Sequence, residues 1–581
     1  MKSSPTILGI SDITGNHNLS TIALWHQDHL AYALSEERIS RVKNDHRFPQ
    51  QAIQQALHEC GIELQDVDIF ACGYPQPHYY RALFSNSCRD LPRSLWGTVK
   101  TDPWQLARTL APNLRKALVD VRKVGGLQQL GIDASRLRMI DHHRAHVAAA
   151  WSASPFDRCL GVSYGGFAPH ANGKNCAGAV YICEGDRLTE LQDIPMPATG
   201  CFLSALTVAL GYRYMQDEGK VASLAACGNS QICFDEMDAL MTHFRDQWQA
   251  APFWIDFLYA PRPQVVQAST TGQAFKKLLS LYTPQDVAAA ALRHWQENLL
   301  AFFRHLMKST GIYTVVCAGG IFAQCRINSA LRALPETEGL YIHPIPGDAS
   351  TTLGAIFETL AELEGRRLQI PLSDLGLGHS PSREEIDMAI QAERKTVDVI
   401  QADDMVSFAA TQLAQGRIIG WFHGRDDFGP QASAHRCILA DPRHVEHAVR
   451  INSEIKKRET FLPLAVSCLP EKANKYLIDF HACPTMSYTY KLKPDVGKQI
   501  PAVVSFDGQV CAAAVTENCY SPFRQLLQRF YKQTGIPMVI NSSLNRHREP
   551  IVHTPAQAID LLKSTSLDLL ILNDIAVRKK K

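Results

Sequence analysis

The sequence has 581 residues, more than one hydrophobic core usually organises, so several domains are expected. Its 59 lysines and arginines nearly balance its 57 aspartates and glutamates, and the net charge of +2 gives no reason to expect nucleic acid or a membrane as a partner. The 16 cysteines form no Cys-x-x-Cys pair, and neither a signal-peptide pattern nor a membrane-spanning apolar run is found, which predicts a reduced, cytoplasmic protein.

The chain begins with a predicted strand and an antiparallel hairpin. Residues 7–10 form a short apolar run, and residues 21–25 and 30–34 form two further strands joined by a hairpin-sized turn. This order is typical of the start of an actin-like ATPase fold. The charged segment 35–43 follows, and it fits either a solvated helix start or a loop that faces a substrate.

Strands and helices alternate over the rest of residues 1–365, which we predict to be one α/β domain. One segment breaks the alternation, since residues from about 76 to 135 are largely helical, rich in arginine and aromatic side chains, and predict a helical insert over the site. Strands are predicted at 159–164, 177–183, 314–318 and 340–343, and long helices at 284–309 and 351–363.

A second α/β domain is predicted at residues 401–581, after a linker at 366–400 that proline and serine punctuate. Its predicted helices are at 404–415, 442–455, 522–534 and 555–563, and its predicted strands are at 418–422, 462–467, 537–541 and 566–572. No internal repeat appears.

A histidine-rich segment, Met139-Ile-Asp-His-His-Arg-Ala-His146, marks the start of a predicted helix. Residues four apart share a helix face, so His142 and His146 can direct both imidazoles at one metal ion. Such a pair is more often a surface or core feature than a metal site, so it decides nothing alone. His143 points elsewhere on the helix, toward a substrate or toward the groups that support the ligands.

Two predicted strand ends carry glycines of the kind that bind phosphate. Gly319 and Gly320 follow one strand and precede a helix, where backbone N–H groups can approach an anion. Gly347 and Asp348 follow the next strand, at the sheet edge where ligands of α/β proteins collect.

Several motifs, in order along nearly the full length, resemble the O-carbamoyltransferase family of nodulation and antibiotic-biosynthesis enzymes. They are Glu36-Glu-Arg38, Asp141-His-His-Arg-Ala-His146, Cys317-Ala-Gly-Gly-Ile321, Gly347-Asp-Ala349, Gly416 to Arg425, Arg436 with 438–443, Arg458-Glu459 and Asn541-Ser-Ser-Leu-Asn545. The resemblance implies an actin-like (ASKHA-type) domain for carbamoyl transfer and a YrdC-like domain that forms carbamoyl-adenylate from ATP and carbamoyl phosphate. The acceptor would be a hydroxyl of a small natural product or sugar.

For the first domain the resemblance implies a divalent metal, Fe²⁺ or Mg²⁺, held by His142, His146 and Asp348. The metal would act as a Lewis acid on a phosphate or carbamoyl oxygen. The acceptor hydroxyl would need either a general base that takes its proton or simple positioning for attack. His143 is our candidate for that base.

For the second domain the resemblance implies a site for two dense anions. Its cations would be Arg425, Arg436, Lys456 and Arg458, of which we assign Lys456 and Arg458 to catalysis. Asn541, Ser542 and Ser543 would hold the adenylate, together with Gly319, Gly320 and Gly347 on the transfer side. Each cation taken alone would more often be a surface residue, but their clustering in glycine-rich and Asn-Ser loops reverses that preference.

The chain departs from the family pattern in both domains. Gly165 stands where the family carries a metal-binding aspartate, so the metal would be held more weakly. Gln431 and Leu462 replace arginines, and Arg548 replaces a glycine. These losses leave a second hypothesis open: a diverged, non-catalytic homologue that acts as a binding or partner subunit. A homodimer is also left open.

Overall fold

The computed structural model describes residues 4–11, 19–73, 132–170, 175–195, 199–213, 216–248 and 270–580. Most of the insert predicted at 76–135 lies outside these residues. Within them the chain is α/β, with two sheets in the N-terminal half and a third in the C-terminal half. None of the described helices has the length and apolarity that a membrane crossing would need.

The first sheet has the strand order β3-β2-β1-β4-β5. Its strands are β1 (Ile7–Ile10), β2 (Thr21–His26), β3 (His29–Ser35), β4 (Ile69–Cys72) and β5 (Leu137–Met139). β1 pairs antiparallel with β2 and parallel with β4, so the predicted hairpin is confirmed and lies on one side of β1.

The second sheet repeats this topology, in the order β10-β9-β6-β7-β8. Its strands are β6 (Arg158–Pro169), β7 (Asn175–Glu184), β8 (Arg187–Pro195), β9 (Thr314–Ala318) and β10 (Gly339–Ile342). β6 takes the place of β1, antiparallel to β7 and parallel to β9. Two copies of this arrangement form the actin-like fold predicted from the sequence.

Helices cover both sheets and line the space between them. Those of the N-terminal half are α1 (Glu36–Ser40), α2 (Gln50–Cys60), α3 (His142–Ala153), α4 (Thr199–Ala209), α5 (Glu218–Ala225), α6 (Phe234–Trp248), α7 (Thr270–Leu281), α8 (Pro284–Thr310), α9 (Cys325–Arg332) and α10 (Ala349–Glu364). α3 packs against β6 and β9, while α10 packs against β1 and β4. The two helices touch closely, because a Cβ added at Gly354 would lie 1.7 Å from the Ala145 carbonyl oxygen.

The third sheet is mixed and follows the order β11-β19-β18-β12-β13-β17-β14-β16-β15. Its strands are β11 (Val397–Ile400), β12 (Ile419–Phe422), β13 (Arg436–Ala440), β14 (Ala465–Cys468), β15 (Thr489–Lys491), β16 (Gln509–Ala514), β17 (Met538–Ser543), β18 (Leu569–Leu572) and β19 (Ile575–Lys579). Its helices are α11 (Arg383–Ala392), α12 (Met405–Ala414), α13 (Val445–Arg450), α14 (Pro470–Ala473), α15 (Ser521–Thr534) and α16 (Pro555–Ser564). α11 and β11 lie inside the segment predicted as a linker, 366–400, and the domain boundaries themselves stay a prediction.

The first residues of the charged segment 35–43 form a helix and are buried rather than solvated. Glu36, Glu37 and Arg38 are at most 3% exposed. The Glu36 carboxylate accepts a hydrogen bond from the Ala52 amide at 2.8 Å, in the first turn of α2. A carboxylate there satisfies amides that lack a partner within the helix. The predicted helix start is therefore confirmed for these three residues, but the predicted exposure to solvent was wrong.

Arg38 joins the two halves of the chain. Its guanidinium donates to the carbonyl oxygens of Asp427 at 3.0 Å and Gly429 at 2.7 Å. It also lies 3.6 Å from the Asp426 carboxylate, with both side chains almost fully buried. Such a pair is unfavourable to break, because either partner alone would be a buried, uncompensated charge.

Candidate functional site

Two histidines and an aspartate converge where α3 and α10 begin. The Asp141 carboxylate accepts from two amides of the first turn of α3 and so fixes the start of the helix. From this helix His142 Nε2 lies 3.9 Å and His146 Nε2 lies 3.5 Å from Asp348 Oδ1. One ligand atom from each of the three residues lies within 4.8 Å of the others, which fits a single divalent cation.

The surroundings of His146 suit a metal ligand. Burial lowers the pKa of His146, although the neighbouring Asp348 raises it, so the neutral imidazole is favoured. The other ring nitrogen, Nδ1, lies 2.9 Å from Ser350 Oγ in the first turn of α10. That contact orients the ring and leaves Nε2 directed at Asp348, as supporting groups do in metal sites.

His143 lies on a different side of α3. Its Nδ1 is 3.0 Å from Ser163 Oγ on β6, and the residue is 2% exposed. Burial, together with neighbouring His142 and His146, lowers the pKa of His143 well below its ordinary value. The structure thus brings His142 and His146 to Asp348 but directs His143 into the second sheet. Its role as a base stays a prediction.

The loop after β9 approaches β6 so closely that only glycine fits. Gly319 has a φ of 110°, and a Cβ added there would lie 2.2 Å from the Tyr164 carbonyl oxygen. Gly320, in contrast, has open space where its Cβ would be. A Cβ added at Gly165 would meet only the Gly320 amide nitrogen within 4 Å, at 3.9 Å. The loop therefore leaves room beside an exposed backbone amide. Gly347, the other predicted phosphate-loop glycine, also has open space at its Cβ position.

A cavity of about 1140 Å³ lies between the two halves of the chain. The N-terminal half contributes α5, α8, the loop after β9 and α9, while the C-terminal half contributes β15, β16 and the end of β17. Six of its lining residues come from the predicted motifs or their departures: Gly320, Gln431, Arg458, Asn541, Ser542 and Ser543. The glycine loop of one half and the Asn-Ser-Ser strand end of the other thus share one space.

Lys456 and Arg458 follow a π-helical turn, Ile451–Ile455, and Arg458 lines the C-terminal side of the cavity. Such turns are frequent at functional sites. Lys456 is 3% exposed, and its ammonium contacts Ser543 Oγ at 3.0 Å and Asn545 Oδ1. Burial, and then Arg458, lowers the pKa of Lys456 well below its ordinary value. Burial also lowers the pKa of Arg458 to about 10.

Asn541, Ser542 and Ser543 are the last three residues of β17, and all three line the cavity. Asn541 Nδ2 donates to Ser467 Oγ at 2.9 Å on the neighbouring strand β14. Its Oδ1 is buried and has no hydrogen-bond partner among the described residues. Ser543 Oγ donates to Asn545 Oδ1 at 2.7 Å. These contacts fix the strand end as a rigid polar edge.

Arg425 and Arg436 make a different kind of contact. Arg425 donates to the carbonyl oxygens of Ala31 at 2.7 Å and Leu377 at 2.6 Å, which joins the two halves of the chain. Arg436 is fully buried, and its guanidinium stacks 3.7 Å from the centre of the Phe422 ring. It donates to the carbonyl oxygens of His379, His423, Gly424 and His435. Their part in phosphate binding stays a prediction, and these contacts favour a structural role.

Two family models match the chain in the order of its two halves. The carbamoyltransferase N-terminus matches residues 6–357, and the carbamoyltransferase C-terminus matches residues 410–579. The chain belongs to the carbamoyltransferase family. Family membership makes the protein an enzyme of the transferase class.

Curated relatives of this carbamoyltransferase cover most of its length. The nodulation protein NolNO of Sinorhizobium fredii is 27% identical over 560 residues, which are 94% of this chain and 77% of the relative. Nodulation protein NolO of Bradyrhizobium diazoefficiens is 28% identical over 448 residues, which are 76% of this chain and 79% of the relative. The 3'-hydroxymethylcephem-O-carbamoyltransferase of Amycolatopsis lactamdurans is 25% identical over 66% of this chain and 67% of its own.

Two features of this carbamoyltransferase site were not found from the sequence. Ser350 and Ser163 support the histidines, but a serine near a histidine motif carries no pattern of its own. The cavity wall formed by α9 and β16 was also missed, because Arg326 and its partner Asp507, 2.7 Å apart, are 181 positions apart in the sequence. Only the fold brings such residues together.

Proposed function

We propose that this protein is an ATP-dependent O-carbamoyltransferase that forms carbamoyl-adenylate in its C-terminal half and transfers the carbamoyl group in its N-terminal half. The acceptor would be a hydroxyl group of a small natural product or sugar. The observation that carries the proposal is the single cavity lined by Gly320 from one half and by Arg458 and Ser543 from the other. The glycine loop of the transfer half and the polar strand end of the other half would therefore share one space for the mixed anhydride.

The first step requires charge neutralisation more than covalent chemistry. Carbamoyl phosphate and water give carbamate and phosphate, and a carbamate oxygen then attacks the α-phosphorus of ATP while pyrophosphate leaves. Arg458 at the cavity wall would bind the anions, because a guanidinium offers paired donors to phosphate oxygens. Lys456 would act by holding Ser543 and Asn545 in place.

In the second step the acceptor oxygen attacks the carbamoyl carbon, loses its proton, and AMP leaves. His142, His146 and Asp348 would hold a divalent cation, and such an ion supplies Lewis-acid stabilisation of oxygen charge when bound. The Gly320 amide, which has open space beside it, would donate to the adenylate phosphate. Ser350 keeps the His146 ring in the orientation that this requires.

Similarity to a named enzyme supports the transfer to oxygen. The Amycolatopsis relative is named for O-carbamoylation of a hydroxymethyl group on a cephem. The acceptor of the present enzyme would share the hydroxyl.

Pyrophosphate release without acceptor tests the first step. Wild-type enzyme with ATP, carbamoyl phosphate and Mg²⁺ or Fe²⁺ should release pyrophosphate, and release should stop when either substrate is omitted. Lys456→Ala should lose at least about 100-fold of this rate, in line with the removal of one preorganised donor. The exposed neighbour Lys457 provides the control, since Lys457→Ala should leave the rate unchanged.

The same assay separates this proposal from a non-catalytic homologue. Unaltered thermal unfolding of both variants would show that the loss is chemical. A wild-type protein that unfolds cooperatively but releases no pyrophosphate would instead favour the alternative, in which the protein acts as a binding or partner subunit.

A further inference from the structure

Two cysteines from opposite halves of the chain face each other across the cavity wall. Cys325 is the first residue of α9, and Cys511 lies in β16. Their sulfur atoms are 3.7 Å apart, although 186 positions separate them in the sequence. Both side chains are half-buried and both line the cavity, so a small solute can reach them.

Neighbouring contacts hold these thiols in position. The carbonyl oxygen of Met486 lies 3.0 Å from the Cys325 sulfur and 3.5 Å from the Cys511 sulfur, so it can accept a hydrogen bond from either thiol. Next along α9, Arg326 forms an ion pair with Asp507 at 2.7 Å, which fixes the helix against the third sheet. The thiols therefore face each other because the two walls are locked in register around them.

The two thiols also differ in the direction of their pKa shifts, which suits them to different steps of thiol–disulfide exchange. The hydrogen bond from Cys511 and the nearby Arg326 lower the pKa of Cys325, although burial opposes them. The same hydrogen bond and burial raise the pKa of Cys511 well above its ordinary value. A thiolate is the attacking species in disulfide exchange, and thiolates are favoured beside arginine and at helix starts. Cys325 is thus the nucleophile, and Cys511 is the thiol that completes the bond.

We propose that Cys325 and Cys511 form a reversible disulfide that joins the two halves of the enzyme at its cavity. A low-molecular-weight disulfide is the oxidant. The Cys325 thiolate attacks one of its sulfurs and releases the first small thiolate. Cys511 then loses its proton, attacks the Cys325 sulfur and releases the second. Two protein thiols lose two electrons and two protons, and one small disulfide becomes two thiols.

The required movement is small. A disulfide has an S–S distance of about 2.0 Å, so the sulfurs must approach by less than 2 Å from their 3.7 Å separation. A second pair, Cys159 and Cys183, lies directly opposite on β6 and β7 but is fully buried in the core. That pair has no access to a solute, and it provides a matched control.

The bond would hold α9 to β16 and so restrict any separation of the cavity walls. Substrates enter and products leave through this space if the proposed function is right, and on that basis oxidation should lower turnover reversibly. The formation of the bond itself does not depend on the proposed function.

Peptide mapping after oxidation tests the proposal directly. Full-length enzyme is treated with oxidised glutathione, the remaining thiols are blocked, and the digest is analysed with and without reduction. A cross-linked peptide pair carrying Cys325 and Cys511 is expected in the wild type and in Cys159→Ser, and it should be absent in Cys511→Ser. The cross-link closes a loop of 186 positions, so oxidised wild type should also unfold at a higher temperature than oxidised Cys511→Ser.

The outcomes are distinct. Absence of the cross-linked pair in wild type, or its loss in the control variant Cys159→Ser, would overturn the proposal. A cross-link that forms without pyrophosphate release in either redox state would leave the disulfide in place and overturn the proposed function instead. A tenfold loss of pyrophosphate release on oxidation, reversed by dithiothreitol and missing in Cys511→Ser, would support both.

Discussion

The buried pair Arg38 and Asp426 is expected to hold the two halves of the chain together, and its removal has a calculable cost. His553 Nδ1 lies 2.9 Å from the other oxygen of the Asp426 carboxylate. Burial opposes ionisation, but Arg38 and then His553 lower the pKa of Asp426 from 3.8 to about 2. That difference corresponds to stability on the order of 2 kcal/mol. It is fully present above the unfolded pKa near 4 and is lost as the pH falls toward 2.

Removing one partner of the pair should lower the free energy of unfolding by more than the contribution that follows from the pKa shift of Asp426. Asp426→Ala leaves the Arg38 guanidinium buried and uncompensated, for which we expect a loss of about 3–5 kcal/mol in the free energy of unfolding. The double variant Arg38→Met with Asp426→Leu should recover much of the loss, since neither member of the pair is left without its partner. The exposed ion pair Arg383–Asp574 supplies a control, and Asp574→Ala should not shift the transition.

Urea denaturation followed by tryptophan fluorescence at pH 7 and at pH 3 gives the required measurement. The reasoning would be refuted if Asp426→Ala stayed within about 1 kcal/mol of wild type, or if the double variant lost the sum of the single losses.

Further predictions concern the cavity and the metal cluster. Gly319→Ala should lower the free energy of unfolding by about 1–3 kcal/mol, measured by thermal unfolding, because the positive φ and the Tyr164 carbonyl oxygen leave no room for a Cβ. Gly320→Ala should unfold like wild type, because the space at its Cβ position is open. Gly165→Asp should tighten divalent-metal binding by about tenfold or more in titration calorimetry, because there is room for a Cβ at this position and the new carboxylate adds an anionic ligand. No metal binding in either form would contradict the metal assignment. Gln431→Arg should lower the KM for carbamoyl phosphate or ATP, since the residue lines the cavity; an unchanged KM for both would argue against a phosphate there.

Local sequence patterns predicted the parts of this structure that local rules control. The hairpin of β2 and β3 follows from two alternating runs and a short turn. His142 and His146 share a face of α3 because helix periodicity places residues four apart together. Asp348 could be added to the predicted metal site because it follows a strand, at the sheet edge where ligands of α/β folds collect.

Long-range burial was beyond the reach of such rules. Arg38 contacts a carbonyl 389 positions away, so its charged segment looked solvated. Arg425 and Arg436 looked like phosphate ligands by type and order, yet backbone carbonyls surround both. The approach of Cys325 to Cys511 also depends on how the two halves meet, which no periodicity encodes.

Direct detection of the intermediate tests the central claim. Enzyme is mixed with ATP and isotopically labelled carbamoyl phosphate without acceptor, quenched within seconds, and analysed by mass spectrometry. We predict a species with the mass of AMP plus one labelled carbamoyl group, present in wild type and Lys457→Ala and lost in Lys456→Ala. Pyrophosphate release without that species, or the species at equal yield in Lys456→Ala, would contradict the account.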